Sequence, residues 1–367
     1  MRPSGVFNAT YNQDMAIVRT KTQWGMFIGA MVALAVFPLV VSDTYVSWGI
    51  WIAYYIIAVL GLNILFGYAG QISIGHIAFV GVGAYVSANL VNHLGFNFFL
   101  ALPLAGLGAA LVGTVFGLPS LRLKGFYLAM ATFAAYFIII YFFNNIDDMT
   151  SAWRAWFPQL TGGMMGTFID RPSIPFTNFV FDTDVKYFYL MAAVTAIMVF
   201  FAKNIVRTRV GRAFVAIRDN DIAAEVMGIS VYRYKLLAFA IGNFYAGIAG
   251  ALIGHYIGFL TPEHYQFFEG IWMLGMVVVG GMGYTMGPIF GATVLQLLKF
   301  WAVPAVASLA GAYLTFLPDQ TLGRVGAASA WMFFALVVIL MLIFEPRGIA
   351  HRWELFKASY RLHPFSY

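Results

Sequence analysis

Ser73 and His76 are the first residues in this chain that invite a chemical reading, a hydroxyl close to an imidazole. An activated serine also needs a carboxylate to orient its histidine, and none lies nearby. His76, His93 and His255 are too scattered for a recognisable metal site, and a structural hydrogen bond accounts for each more simply. No Cys is present, so disulfides and thiolate metal sites are excluded. No G-x-x-x-x-G-K-[ST] loop occurs, and the Gly280–Gly283 run has no Lys to hold a phosphate. The chain therefore does not itself bind ATP through a Walker motif, and the residues argue against an enzyme.

The remaining polar candidates stand among apolar residues. Asn63, Gln71, Asn243 and Gln296 lie within or beside long hydrophobic runs, where they could contact a polar solute or hydrogen-bond between helices. Glu269 sits at the edge of one such run, and Lys299 is the basic residue well inside another. Ion-coupled carriers bury carboxylates or histidines as cation sites. The scarcity of such acids argues against proton coupling, although Na⁺ sites built from carbonyls would escape this test. Asn63, Gln71, Ser73, His76 and Asn243 are the candidates for a translocation path. Two glycine clusters accompany them: Gly67, Gly70, Gly75, Gly81 and Gly83, then Gly275, Gly280, Gly281, Gly283, Gly287 and Gly291. Small residues permit close helix contact or unwinding beside a pathway, and packing alone would also use them.

These residues need a scaffold, and the composition says which solvent it lives in. Of 367 residues, 61% are hydrophobic and 10% charged, with mean hydropathy +0.81. A water-soluble domain carries about 45–50% apolar and about 25% charged residues. Lipid must solvate much of this chain, which excludes an ordinary soluble enzyme, a nucleic-acid-binding domain and a disordered polymer. Low-charge runs near the roughly 20 residues a membrane helix needs occur at 25–42, 46–66, 76–95, 98–118, 126–143, 187–203, 234–258, 268–283, 286–310 and 328–344. The short run at 268–283 and the Gly-rich one at 76–95 could be broken or re-entrant. The expected architecture is all-α and polytopic, with about ten transmembrane helices. Arg19 and Lys21 before the first run resemble a signal peptide's opening, but no small-residue cleavage site follows, so an uncleaved first span is expected.

Ten spans put both termini on one side, and basic residues select it. That side holds Arg2, Arg19, Lys21, Arg122, Lys124, Lys203, Arg207, Arg209, Arg212, Arg218, Arg233, Lys235, Arg347, Arg352, Lys357 and Arg361. The opposite loops hold Arg154, Arg171, Lys186 and Arg324. Sixteen against four places both termini in the cytoplasm and makes residues 144–186 an external loop. Trp153 and Trp156 in that loop are expected to meet a partner, since Trp often anchors interfaces. An internal likeness links Ala69-Gly70, Ile74-Gly75-His76 and Phe79 with Ala249-Gly250, Ile253-Gly254-His255 and Phe259. Inverted repeats leave such a trace, and so does chance in a chain rich in these residues.

Residues 204–233 form the largest internal segment. Asp219, Asn220 or Asp221 can cap a short helix there, Ile222, Val226 and Ile229 recur at helical spacing, and Gly228 is placed to end it. Such a helix could serve a protein partner or simply lie at the membrane interface.

Five stretches resemble the permease subunits of branched-chain amino acid ABC importers, specifically the LivM type: GLNILFGYAGQISIGHIAFVGVGAY at 61–85, GLPSLRLKGFY at 117–127, TRVGRAFVAIRDNDIAAEVMGI at 208–229, GGMGYTMGP at 280–288 and EPRGI at 345–349. They occur in family order. The external loop is longer than the family pattern, and 300–325 has no obvious counterpart. The resemblance implies a single permease domain over 1–367 in a bacterial inner membrane, paired with a second, LivH-like permease. It further implies two ABC ATPase subunits, which bind the ATP and Mg²⁺ while this chain holds no cofactor, and a periplasmic substrate-binding protein. It gives Ala223, Ala224, Glu225 and Gly228, with Arg212 and Arg218 upstream, to coupling with the ATPases. Relatives import Leu, Ile and Val, or urea, short amides or aromatic acids. The alternative reading of the residues is an ion-coupled secondary transporter with inverted repeats.

Overall fold

The computed structural model describes residues 21–120, 123, 125–149, 160–173, 179–313 and 319–362. Thirteen α-helices run through them: α1 Lys21–Val40, α2 Asp43–Leu62, α3 His76–Asn92, α4 Phe98–Ser120, α5 Phe126–Met149, α6 Asp184–Arg207, α7 Arg209–Asp219, α8 Asp221–Val226, α9 Val231–Ile257, α10 Phe267–Gly280, α11 Gly287–Tyr313, α12 Asp319–Phe344 and α13 Ile349–Leu362. All ten apolar runs fall on helices, α1–α6 and α9–α12. Five described helices are long and apolar enough to cross a bilayer, Asp43–Tyr68, Phe98–Leu118, Phe126–Asp147, Asp184–Arg207 and Val231–Ile257. A sixth arises if Phe334–Phe344 and Ile349–Ser359, bent by 42°, count as one span. The chain is an all-α, multi-pass membrane protein.

The two runs flagged as irregular are the short ones. At 1.5 Å per residue, α3 reaches about 26 Å and α10 about 21 Å, against a hydrocarbon core of about 30 Å. Both are covered by protein: most of α3 and more than half of α10 are buried. That cover lets the chain break near them without leaving peptide groups facing lipid. α2 ends in a π-helical turn, Asn63–Tyr68, and residues 70–75 run non-helically into α3. A second break, 281–286, separates α10 from α11.

The core forms around α9, which packs on α2, α3 and α4. A Cβ on Gly250 would lie 1.8 Å from the Val80 carbonyl oxygen, so only glycine lets α9 approach α3 this closely. Lipid offers no hydrophobic drive for helix association, and such close packing supplies it instead. Buried tyrosines add polar links: Tyr245 donates to the Met198 carbonyl at 2.9 Å, and Tyr187 donates to that of Leu252. The two repeat-like stretches differ in local structure. Residues 70–75 are non-helical, whereas Ala249–Ile257 continue α9. The likeness in sequence does not extend to a shared conformation.

The segment after α5 folds back over the bundle. Asp147 accepts from the Leu160 amide at 2.6 Å and from the Thr161 hydroxyl at 3.1 Å. Thr167–Phe168 (β1) pairs antiparallel with Phe259–Leu260 (β2), Thr167 facing Leu260. This two-residue ladder is a small departure from the all-α expectation, and it ties the segment to the end of α9. Trp153, Trp156, Arg154, Arg122, Lys124, Arg2 and Arg19 lie outside the described residues.

Candidate functional site

The two chain breaks meet, and Asn63 joins them. Its Nδ2 donates to the Tyr284 carbonyl at 3.0 Å while its Oδ1 accepts from the Gly283 amide at 3.0 Å. Tyr68 and Thr285 share a hydroxyl hydrogen bond of 3.0 Å beside it. Leaving helical geometry frees peptide groups, and a buried free group is costly, so an amide side chain offering both a donor and an acceptor closes the gap. Gly283, at φ +75°, takes a left-handed conformation that a side chain would strain.

Arg218, on the last turn of α7, inserts at this junction. Its Nη1 donates to the Gly67 carbonyl at 2.9 Å, and its Nη2 pairs with Asp219 at 2.9 Å. A Cβ on Gly283 would come 2.8 Å from that same Nη1, and one on Gly70 would come 3.1 Å from its Cγ. The arginine thus binds the 204–233 segment to the first break and lies beside the second. Arg212, by contrast, is exposed and reaches only the Arg207 carbonyl at 3.4 Å.

α8 follows at once. Asn220 is its cap, accepting from the Ala223 amide at 3.0 Å, and Gly228 closes it at φ +83°. The Ile229 amide returns to the Ala224 carbonyl at 3.0 Å. Ala224 is buried, whereas Glu225 is exposed and makes no ion pair with the described residues. Ile222, Val226 and Met227 are 67%, 81% and 81% exposed, an apolar tip turned away from the bundle. Ala223 is exposed beside them.

Asn63, Gln71, Ser73, His76 and Asn243 are all buried to within 1%. His76 Nε2 bonds the Ala58 carbonyl at 3.1 Å, the structural role that a lone apolar-face histidine suggests. Gln71, Ser73 and Asn243 have side-chain polar atoms with no hydrogen-bond partner among the described residues, as has His76 at Nδ1. Asn243 lies apart from the others, against Gly113 of α4. Gln71 lines an open cavity of about 340 Å³, shared with Arg218, Asn220 and the Asp221–Lys235 pair (3.5 Å). His255, like His76, makes structural bonds, to Ser87 at 3.0 Å and the Asp170 carbonyl at 2.8 Å. No group of three His, Asp or Glu among the described residues could hold a metal ion.

At the opposite end, Lys299 Nζ lies 3.3 Å from Glu269 Oε1, and Tyr55 donates to Glu269 Oε2 at 2.6 Å. They border a cavity of about 400 Å³. The sequence shows both charges but not their pairing, because 30 residues and a helical hairpin separate them. Opposite charges within or at the edge of apolar spans were the available signal.

The class is thus fixed as a multi-pass helical membrane protein with two chain breaks that meet beside a short helix pair. The model of the branched-chain amino acid transport system permease component family matches residues 44–344, and the chain belongs to that family. The chain is 35% identical, over 294 residues, to the high-affinity branched-chain amino acid transport system permease protein LivM of Escherichia coli. That alignment covers 74% of this chain and 66% of the relative. LivM of Salmonella typhimurium is 34% identical with the same coverage, and LivH of that organism is 25% identical over 83% of this chain and 93% of its own. The chain thus spans slightly less than two thirds of the LivM relatives' length. No solved structure matches it.

Proposed function

We propose that this chain is one permease subunit of an ABC importer for branched-chain amino acids or a related small polar solute such as urea or an amide. In this reading it pairs with a LivH-like permease in a bacterial inner membrane. Two ATPase subunits bind ATP and Mg²⁺ on the cytoplasmic side, and a periplasmic binding protein delivers the solute. Membership of the permease family supports the class. The observation that carries the coupling is the α7–α8 unit. It exposes Ile222, Val226, Met227 and Glu225 outward while Arg218 holds the Gly67 carbonyl at the first break. A push on α8 would reach the breaks through a rigid capped turn and one charge-assisted hydrogen bond, a kind worth about 1.5–3 kcal/mol. ATP binding and release would bias an equilibrium between inward- and outward-open arrangements.

The reading includes ten spans with both termini cytoplasmic. The basic asymmetry supports it, and so does the way loops assort in space. Gly67, Gly70, Arg218 and Gly283, all assigned to the inner side, meet one another. On the side assigned to the outside, hydrogen bonds join Asn89 to Leu160, Asn92 to Phe168, His255 to Asp170 and Ile169 to Gly258. The unpaired atoms of Gln71, Ser73 and His76, beside a break, fit groups that serve a passing polar solute. Residues 144–186 would meet the binding protein, with Met165 and Phe168 exposed on it.

The test is uptake of radiolabelled leucine and of urea by proteoliposomes holding the whole complex and its binding protein. Uptake of one of them that requires ATP and survives dissipation of ion gradients supports the importer. Uptake driven by an ion gradient without ATP would make it an ion-coupled carrier.

A further inference from the structure

Few side chains in this protein place charge within or at the edge of an apolar span, and two of those that do pair at the wall of a cavity. Glu269 opens α10 and Lys299 lies twelve residues into α11. Their side chains keep 26% and 31% of their exposure, so both still reach the cavity. Its other walls include Trp51, Tyr54 and Phe300. The Lys299 ammonium also stands 5.1 Å over the Trp272 ring. A partly desolvated ion pair gains little stability, and ionisable groups at membrane depth are by default functional candidates.

Two further groups lack partners. Gln296, one turn before Lys299, is 2% exposed, and its Oε1 accepts no hydrogen bond from the described residues. Tyr265 is 2% exposed, and its hydroxyl is likewise unpartnered. Both line the same cavity. Leaving such atoms dry costs roughly 1–3 kcal/mol each on general grounds, a cost that a polar occupant removes.

We propose that this cavity is a binding site for a zwitterionic α-amino acid on its way through the permease, a proposal that rests on the importer reading above. The solute's ammonium would take the place of Lys299 at Glu269 and donate to Gln296 Oε1. Its carboxylate would accept from Lys299 and from the Tyr265 hydroxyl. Inserting a zwitterion exchanges one internal ion pair for two, so net charge in the site stays unchanged. The aromatic walls would take the apolar side chain. At about 400 Å³ the cavity is large enough for one amino acid of leucine's size. It lies at the end of the bundle that the topology assigns to the outside, where delivery from a binding protein would occur. Urea has no charges to engage the pair, so the site selects amino acids over amides.

The experiment uses the complete complex in proteoliposomes with saturating leucine-loaded binding protein. Glu269→Gln and Lys299→Gln are each expected to lower the leucine uptake rate at least ten-fold while the subunits still co-purify. The swap, Glu269→Lys with Lys299→Glu, restores the ion pair but reverses it against Gln296 and Tyr265, and uptake should stay low. Recovery of the wild-type rate by the swap would make the pair structural and overturn the site. So would unchanged uptake in either neutral variant. Should these variants fail to assemble, Phe300→Cys provides a second measure in this cysteine-free chain. Millimolar leucine should slow its modification by a cationic thiol reagent at least three-fold, whereas isovalerate and urea should not. Equal rates with and without leucine would overturn the proposal. A wild-type complex that takes up urea but no amino acid refutes the amino-acid importer itself, a result separate from failure of the site alone.

Discussion

Asn63→Ala isolates the junction between the two breaks. The side chain is 1% exposed, and both of its hydrogen bonds, to Gly283 N–H and Tyr284 C=O, measure 3.0 Å. Truncation leaves one donor and one acceptor of the half-buried 281–286 turn without that partner. Each such group costs about 1–3 kcal/mol. Interhelical hydrogen bonds within membranes average nearer 0.6 kcal/mol, because the loosened state finds other partners. A net loss of about 2–4 kcal/mol is the expected middle, which corresponds to a roughly 30- to 900-fold fall in the population of the clamped arrangement. The junction also requires glycine at 67, where an added Cβ would come 2.1 Å from Asn63 Oδ1. Asn63→Asp keeps the acceptor for Gly283 but sets an oxygen against the Tyr284 carbonyl, so it should be no better than alanine. The assay is thermal unfolding of the purified complex, followed by monodispersity after heating, with ATP-driven uptake measured in parallel. Both should fall in both variants. An Asn63→Ala complex with wild-type melting and wild-type uptake would show that the junction is held by other contacts, and the reasoning would be refuted.

Glu225→Arg should abolish co-purification of the ATPases and binding-protein-stimulated ATP hydrolysis while the permease still inserts, because the residue is exposed and pairs with no charge among the described residues. Replacing an interfacial attraction by repulsion costs on the order of 2–5 kcal/mol, and full retention of the ATPases would move the contact elsewhere. Single cysteines at Met165 and Val226, 89% and 81% exposed, should label from opposite faces of oriented vesicles, Met165→Cys from outside and Val226→Cys from inside. Labelling of both from one face would invalidate the topology.

The sequence by itself determined the solvent, the class and the location of the helices. Apolar runs as long as a bilayer is thick can satisfy their peptide groups only as helices, so every one of the ten falls on a helix. The ends of α8 were legible for the same local reason: Asn220 caps it and Gly228 ends it through contacts within a few residues. What only tertiary structure decided was which residues meet. Nothing near Asn63 in sequence indicates that its partners lie about 220 residues away at Gly283 and Tyr284. The role of Arg218 was equally hidden, since its acceptor is a backbone carbonyl, which any residue supplies. Glu269 and Lys299 read as isolated anomalies along the chain, and the α10–α11 hairpin makes them a pair. The repeat-like stretches show the converse, because similar residues form a chain break in one place and a helix in the other. Helix formation is a local accounting of peptide hydrogen bonds, which composition settles, whereas side-chain partnership depends on which helices glycine allows to touch.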